Sequence, residues 1–199
     1  MQIGWFTYDT TAGGADHQRW YTLSGNVQTG QPTASLTIYR NVGGNFNSPP
    51  VTGSVAVGTA TLRLDTCTSG QLDYAFSDGS GRSGSIPLTR LTQNGTCSTT
   101  DERPTNSDSA LGGNWFDPAT SGQGFNVDVS PGSATLFFAW YTYAPSGSNA
   151  GAAGQRWYTG QGSFAPGTRT TPVTLYQTTG GIFDAPAATP RTVAVGSAT

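Results

Sequence analysis

The side chains able to do chemistry are few, and their spacing suits none of the common catalytic plans. The 199 residues include one histidine, eleven carboxylates and two cysteines. A nucleophilic triad needs a histidine held between an acid and a hydroxyl or thiol. His17 follows the loop Ala12-Gly13-Gly14-Ala15-Asp16 and reads as an exposed loop residue. A glycosidase needs two carboxylates facing one cleft, and Asp65, Asp73, Asp117 and Asp128 are the conceivable members. Asp117, however, precedes Pro118 as a turn residue does. Asp128 alternates with Val127 and Val129, which turns it away from the apolar side. No Asp-x-Asp-x-Asp-Gly loop suggests calcium, Asp101-Glu102 reads as a solvated turn, and no His or Cys falls at zinc spacing. The expectation is a non-enzymatic chain with no catalytic residues, metal or cofactor; a hydrolase is the alternative.

The two cysteines, Cys67 and Cys97, flank a predicted hairpin in Thr, Ser and Gly surroundings. They are expected to form one disulfide worth about 3 kcal/mol, which points to an oxidising compartment; two buried thiols are the other reading. Aromatic residues carry more signal. Trp5, Tyr8, Trp20, Tyr21, Trp140, Tyr143, Trp157 and Tyr158 recur in pairs. Strand alternation puts Trp5 and Thr7 on one face and Phe6 and Tyr8 on the other. One face must fill a core. The other is free to serve as a stacking platform for a sugar or as an interface, with Trp20, Tyr21, Trp157, Tyr158, Tyr8 and Tyr143 as the candidate binding residues. Arg19 and Arg156, each preceding a tryptophan, are placed for cation–π contacts.

Composition narrows the partners. All nine basic residues are arginine and the formal net charge is −2, so no basic cluster exists to release counterions from nucleic acid or an anionic membrane. No run approaches the ~18 apolar residues of a membrane span. A lysine-free, polar, weakly charged chain fits an extracellular or cell-surface location; a GC-rich genome leaves the same imprint. Disorder is excluded, because 11% aromatic residues at regular positions do not belong to a disordered segment.

The elements that must position these groups are strands. Short Val, Ile, Thr, Tyr, Phe and Trp runs sit between Gly, Pro, Asn and Asp clusters, the pattern of an all-β antiparallel sandwich or barrel. Strands are expected near 2–8, 18–25, 34–40, 54–65, 71–77 and 84–91, then near 113–117, 123–130, 134–143, 155–164, 172–178 and 192–199. Asp78-Gly79-Ser80-Gly81 is a hairpin turn. The polar stretch 98–111 reads as a linker, separating a first β unit, 1–97, from a second, 112–199.

The two units repeat one module. Gln18-Arg19-Trp20-Tyr21-Thr22 returns intact as Gln155-Arg156-Trp157-Tyr158-Thr159. The offset is 135 positions from Trp5 to Trp140, 137 from Trp20 to Trp157 and 138 from Thr61 to Thr199, the mark of a duplicated domain. Gly43-Gly44-Asn45-Phe46 likewise returns as Gly180-Gly181-Ile182-Phe183. Met1 aligns with Leu136, inside an apolar run, and Thr199 with Thr61, so both ends are expected to fall within a sheet. Each unit then lacks strands that the other holds. Three arrangements would cover the exposed edges: the halves complete one sheet, a neighbouring chain donates strands, or a longer polypeptide supplies them.

The stretch Gly113-Asn114-Trp115-Phe116-Asp117-Pro118-Ala119-Thr120-Ser121-Gly122-Gln123-Gly124-Phe125, with Trp140-Tyr141-Thr142-Tyr143, Gly43-Gly44-Asn45-Phe46 and Gly84-Ser85-Ile86-Pro87-Leu88-Thr89-Arg90-Leu91, resembles an uncharacterised β-rich module of secreted proteobacterial proteins, found in tandem or appended to other domains. That resemblance implies secretion and repeat architecture and supplies no catalytic residues. The opening Gly-Asn-Trp-Phe is also similar, at the level of fold, to the start of lipocalin- and avidin-type barrels. The expected function is a structural or adhesive extracellular protein whose modules assemble with copies of themselves by strand complementation. A carbohydrate- or small-ligand-binding module using exposed Trp and Tyr is the alternative.

Overall fold

The computed structural model describes residues 1–66, 68–92, 108, 111–130, 133–145, 151–186 and 188–199. Twelve strands run in chain order: β1 Gln2–Tyr8, β2 Gln18–Ser24, β3 Thr33–Asn41, β4 Ser54–Leu64, β5 Ser69–Phe76, β6 Ser83–Thr89, β7 Gly113–Trp115, β8 Gly124–Ser130, β9 Thr135–Tyr143, β10 Gln155–Ser163, β11 Val173–Thr179 and β12 Arg191–Ala198. Each lies close to its expected range, because alternation and turn residues both act locally. Asp78 Oδ1 accepts from Ser80 N at 3.1 Å, and Gly79 and Gly81 take φ of 83° and 68°, so the β5–β6 turn forms as its composition requires. Asp117 caps the short 3-10 turn Pro118–Thr120 by accepting from Ala119 N at 2.8 Å.

The strands form two six-stranded antiparallel meanders, one of β1 to β6 in order and one of β7 to β12, and one of the two sheets curls into a half-barrel. The repeat shows in their registers. Strands β1–β4 correspond to β9–β12, and the same irregularity recurs between Ile38 and Tyr39 in β3 and between Leu175 and Tyr176 in β11. Among the described residues, hairpin β5–β6 has no counterpart in the second unit and hairpin β7–β8 none in the first. The halves do not complete a single sheet; each keeps its own strands, because the repeated strands pair within their own copy.

Alternation also fixes the main core. Tyr21, Leu23, Leu36, Ile38, Val57, Ala60, Leu62, Leu72, Tyr74 and Phe76 face inward from β2 to β5, with Trp5, Ile86 and Leu88 packed against them. One member comes from elsewhere: Phe183, on the β11–β12 loop of the second unit, is 9% exposed against Trp5, Tyr74 and Phe76. Cys67 and Cys97, and nearly all of the 98–111 linker, lie outside the described residues.

Candidate functional site

The two units meet along a seam built twice from the same residues. In each copy a 3-10 turn, Ala15–His17 or Ala152–Gly154, ends in a glutamine whose N–H is held by the alanine carbonyl at the turn's start. This aims both glutamines across the seam. Gln18 Nε2 donates to Trp157 O at 2.8 Å and Thr178 O at 3.1 Å; Gln155 Nε2 donates to Trp20 O at 2.8 Å and Asn41 O at 3.1 Å. The targets sit where neighbouring strands part. The β2–β3 ladder covers only Thr22–Ser24 on β2, and the β10–β11 ladder only Thr159–Gln161 on β10. Each amide thus fills the fork in the other unit's sheet, supplying donors that a continued ladder would have supplied.

The indoles follow the same twofold rule. Trp20 Nε1 donates to Thr142 O at 3.1 Å and Trp157 Nε1 to Thr7 O at 3.0 Å. The loops exchange as well: Phe46 N donates to Ala144 O at 3.2 Å and Phe183 N to Asp9 O at 2.8 Å. Behind each phenylalanine a glycine lies flat on a tyrosine of the other unit, Gly44 on Tyr143 and Gly181 on Tyr8, where a β-carbon would enter the ring. Asn47 and Asp184, which close the two loops, share left-handed φ of 43° and 45°.

The aromatic candidates of the sequence are therefore mostly interior. Trp20 is 1% exposed, Tyr143 1%, Tyr21 3% and Trp157 7%, while Tyr8 and Tyr158 are half-buried. The second face of β1 is an interface within the chain: Phe6 packs on Tyr141 and Trp157, and Tyr8 on Trp157. Burial pushes the Tyr143 hydroxyl up to about 12 despite its contact with Thr52, and burial also raises Tyr141, Tyr158 and Tyr8. Arg19 pairs with Asp9, and Arg156 donates to Ala153 O and Gln155 O. The cation–π contacts belong instead to Arg82, whose guanidinium lies 4.0 Å from the Phe76 ring centre and 4.9 Å from that of Phe183.

Where the units differ, the second has an open face. In the first, β4 is paired with β5 from Gly58↔Phe76 to Leu64↔Gly70, and β5 with β6. In the second, no strand among the described residues lies outside β12, and all eight of its residues are exposed. Val195 is 48% exposed where its counterpart Val57 is 3%, and Phe46 is 36% exposed where Phe183 is 9%. The rings of this face, exposed Phe46 and half-buried Phe125, Trp140 and Tyr158, form one chain of contacts. Phe125 stacks on Trp140 at 5.3 Å, Trp140 meets Tyr158 at 5.6 Å, and Phe46 meets Trp140 at 5.0 Å. The reciprocal unpaired strand edge is at β1, where no described strand pairs and the Gln2 carbonyl accepts from Asn114 Nδ2 at 3.3 Å. Met1 exchanges both backbone hydrogen bonds with Gly25, so odd residues face β2 and Gln2, Gly4, Phe6 and Tyr8 present N–H and C=O outward. Strand β9, its counterpart, is covered there by β8 from Gly124↔Tyr141 onward. A groove of about 680 Å³ lies between β1 and β6, floored by the Gly181–Pro190 loop.

Among the described residues the carboxylates and histidine do not converge on one site. Asp65 pairs with Arg63 at 2.7 Å, Asp73 accepts from Gln71 at 2.7 Å, and Asp128 accepts from Thr92. His17 Nδ1 lies 3.0 Å from Thr11 O. Among the described residues no group of three His, Cys, Asp or Glu side chains is assembled for a metal, and no helix is long and apolar enough to cross a membrane. Comparison with protein-family models, with curated proteins and with solved structures finds no match to this chain.

Proposed function

We propose that the protein is a non-enzymatic, extracellular structural or adhesive component whose β modules assemble by strand complementation. The observation that carries this reading is the mismatch between the two copies. Among the described residues no strand pairs with the outward edge of β1, where β9 carries β8, although the Gln2 carbonyl there accepts from Asn114 Nδ2 at 3.3 Å, and none pairs with the outward edge of β12, where β4 carries β5. Exposed strand edges are templates for pairing, and β-strand addition is an established recognition mode. The lysine-free, weakly charged composition and the expected Cys67–Cys97 bond support an extracellular setting.

Sedimentation and electron microscopy across a concentration series test it. Elongated oligomers are expected to grow with concentration and to be suppressed by Val195→Lys, which charges the β12 edge. A compact monomer that persists to millimolar concentration removes the assembly reading.

A second reading rests on a cavity of about 220 Å³ at the seam, walled by Trp20, Tyr141, Phe116, Asn41, Asn114 and Gln123. Ring faces beside uncharged amides suit a small neutral sugar. Glycan-array binding lost on Asn114→Ala would favour it over assembly.

A further inference from the structure

We infer that the open face of the second unit is a receptor for one kind of segment, a β-hairpin with the side-chain pattern of β5–β6, supplied from outside residues 1–199. The inference deepens the assembly reading and rests on it for its biological setting. The occupant follows from the repeat itself, because the first unit shows the same face covered.

Four matched observations carry it. First, Gly58 must be glycine: β5 crosses so near that a β-carbon would lie 2.9 Å from Phe76 Cα and closer still to Ala75 O. Gly196 holds the equivalent place in β12, yet the nearest atom to its added β-carbon is Leu175 Cδ1 at 4.0 Å. The second unit keeps a glycine-sized passage that no described residue fills. Second, Val57 is sealed by the hairpin, whereas Val195 is 48% exposed. Third, Phe183 is closed over by Tyr74, Phe76 and Arg82, whereas its twin Phe46 is 36% exposed. Fourth, Tyr74 OH donates to Asp184 at 2.5 Å, and the residue matching Asp184 is Asn47, an exposed side chain able to accept the same bond.

The register is thereby specified. Gly58↔Phe76 and Thr59↔Ala75 in the first unit become Gly196 opposite the incoming Phe76 position and Ser197 opposite the Ala75 position. The incoming tyrosine then lies toward Asn47, and the arginine of the turn lies over Phe46.

The test uses the whole 199-residue protein and a labelled synthetic peptide of residues 68–90 of this chain. Saturable binding by fluorescence anisotropy is expected. Val195→Glu or Phe46→Ala in the protein should weaken it tenfold or more, as should Tyr74→Ala with Phe76→Ala in the peptide. Register is read by cross-linking: peptide Ala75→Cys should form a disulfide with protein Ser197→Cys and not with Thr192→Cys. No saturable binding at millimolar peptide overturns the inference. So does binding indifferent to Val195→Glu, because the peptide would then be replacing the protein's own β5–β6. A protein that polymerises but ignores the peptide keeps the assembly reading and loses this one. A monomer that binds the peptide does the reverse.

Discussion

Replacing Gln155 with leucine tests whether the glutamine forks hold the two units together. Gln155 is 1% exposed, and its amide donates to Trp20 O and Asn41 O at 2.8 and 3.1 Å. Leucine has nearly the same volume, so packing changes little, but two carbonyl oxygens stay in a buried seam without that donor. An orphaned buried polar group costs about 1–3 kcal/mol. Each carbonyl has a second lone pair that other partners can use, and leucine adds some apolar burial. The loss should therefore fall near the lower end of the sum, about 2–4 kcal/mol. At roughly 2–4 °C per kcal/mol for a chain of this size, Tm falls by about 5–15 °C. Urea and thermal unfolding, followed by tryptophan fluorescence and far-UV circular dichroism, measure it. Gln18→Leu removes the mirror pair of bonds and should cost the same within about 1 kcal/mol. Gln155→Glu puts a carboxylate against two carbonyl oxygens, so its folded-state pKa must rise. Its destabilisation should be largest at pH 7 and shrink as pH falls through that raised value. If both leucine variants lose less than about 0.5 kcal/mol, the amides are bystanders and the account of the seam is wrong.

Three further outcomes follow from the same geometry. Gly181→Ala and Gly44→Ala drive a methyl into the rings of Tyr8 and Tyr143 and should each cost about 1–3 kcal/mol, against almost nothing for Gly53→Ala, whose added β-carbon meets open space; urea midpoints decide. Phe183→Ala empties a buried site and should cost about 3–5 kcal/mol, while Phe46→Ala, at a position 36% exposed, should cost less than half of that in the same assay. Burial pulls the Asp78 carboxyl upward, but Ser80 and the Arg82 guanidinium outweigh it and hold its pKa below the ordinary value; the pair therefore stabilises the fold above about pH 4 and is lost as pH falls through the lowered pKa. Asp78→Asn should cost about 1 kcal/mol at pH 7, and the gap to the parent protein should close in acid.

Much of this arrangement was legible in the sequence. Trp5-Phe6-Thr7-Tyr8 assigned its two faces correctly, and the turn at Asp78-Gly79-Ser80-Gly81 lies where its residues require. What alternation could not reveal is what covers a face once it is assigned. Phe6 and Tyr8 read equally well as a sugar platform or an interface, because period two says nothing about a sheet 137 residues away in sequence. The role of Gln18 and Gln155 was missed for a related reason. It depends on where β2 leaves β3, and a ladder's end is set by curvature rather than by any one residue. A usable signal was present: Gln-Arg-Trp-Tyr-Thr is identical in both copies although Leu23, just beyond it, is replaced by Gly160. Identity maintained through a polar residue at a strand's first position suggests a contact made by the side chain itself.

The symmetry of the seam bears on how assembly could proceed. Its contacts are isologous: each glutamine, indole and phenylalanine is answered by its twin, so joining two units exhausts the surface. A seam of that kind makes pairs and cannot extend. The bare edges differ from one another. Among the described residues β1 has no partner of the β8 kind, with outward groups at Gln2, Gly4, Phe6 and Tyr8, and β12 has no partner of the β5 kind, with a passage at Gly196. Contacts between unlike surfaces are heterologous, and unless their rotation closes a ring they repeat without limit. Under the proposed function, growth must therefore run through the edges while the seam sets the repeating unit. Weakening the seam with Gln155→Leu should loosen each unit without changing the direction of growth, whereas Val195→Lys should end growth and leave unit stability intact. Equal effects of the two substitutions on both properties would contradict that division of labour.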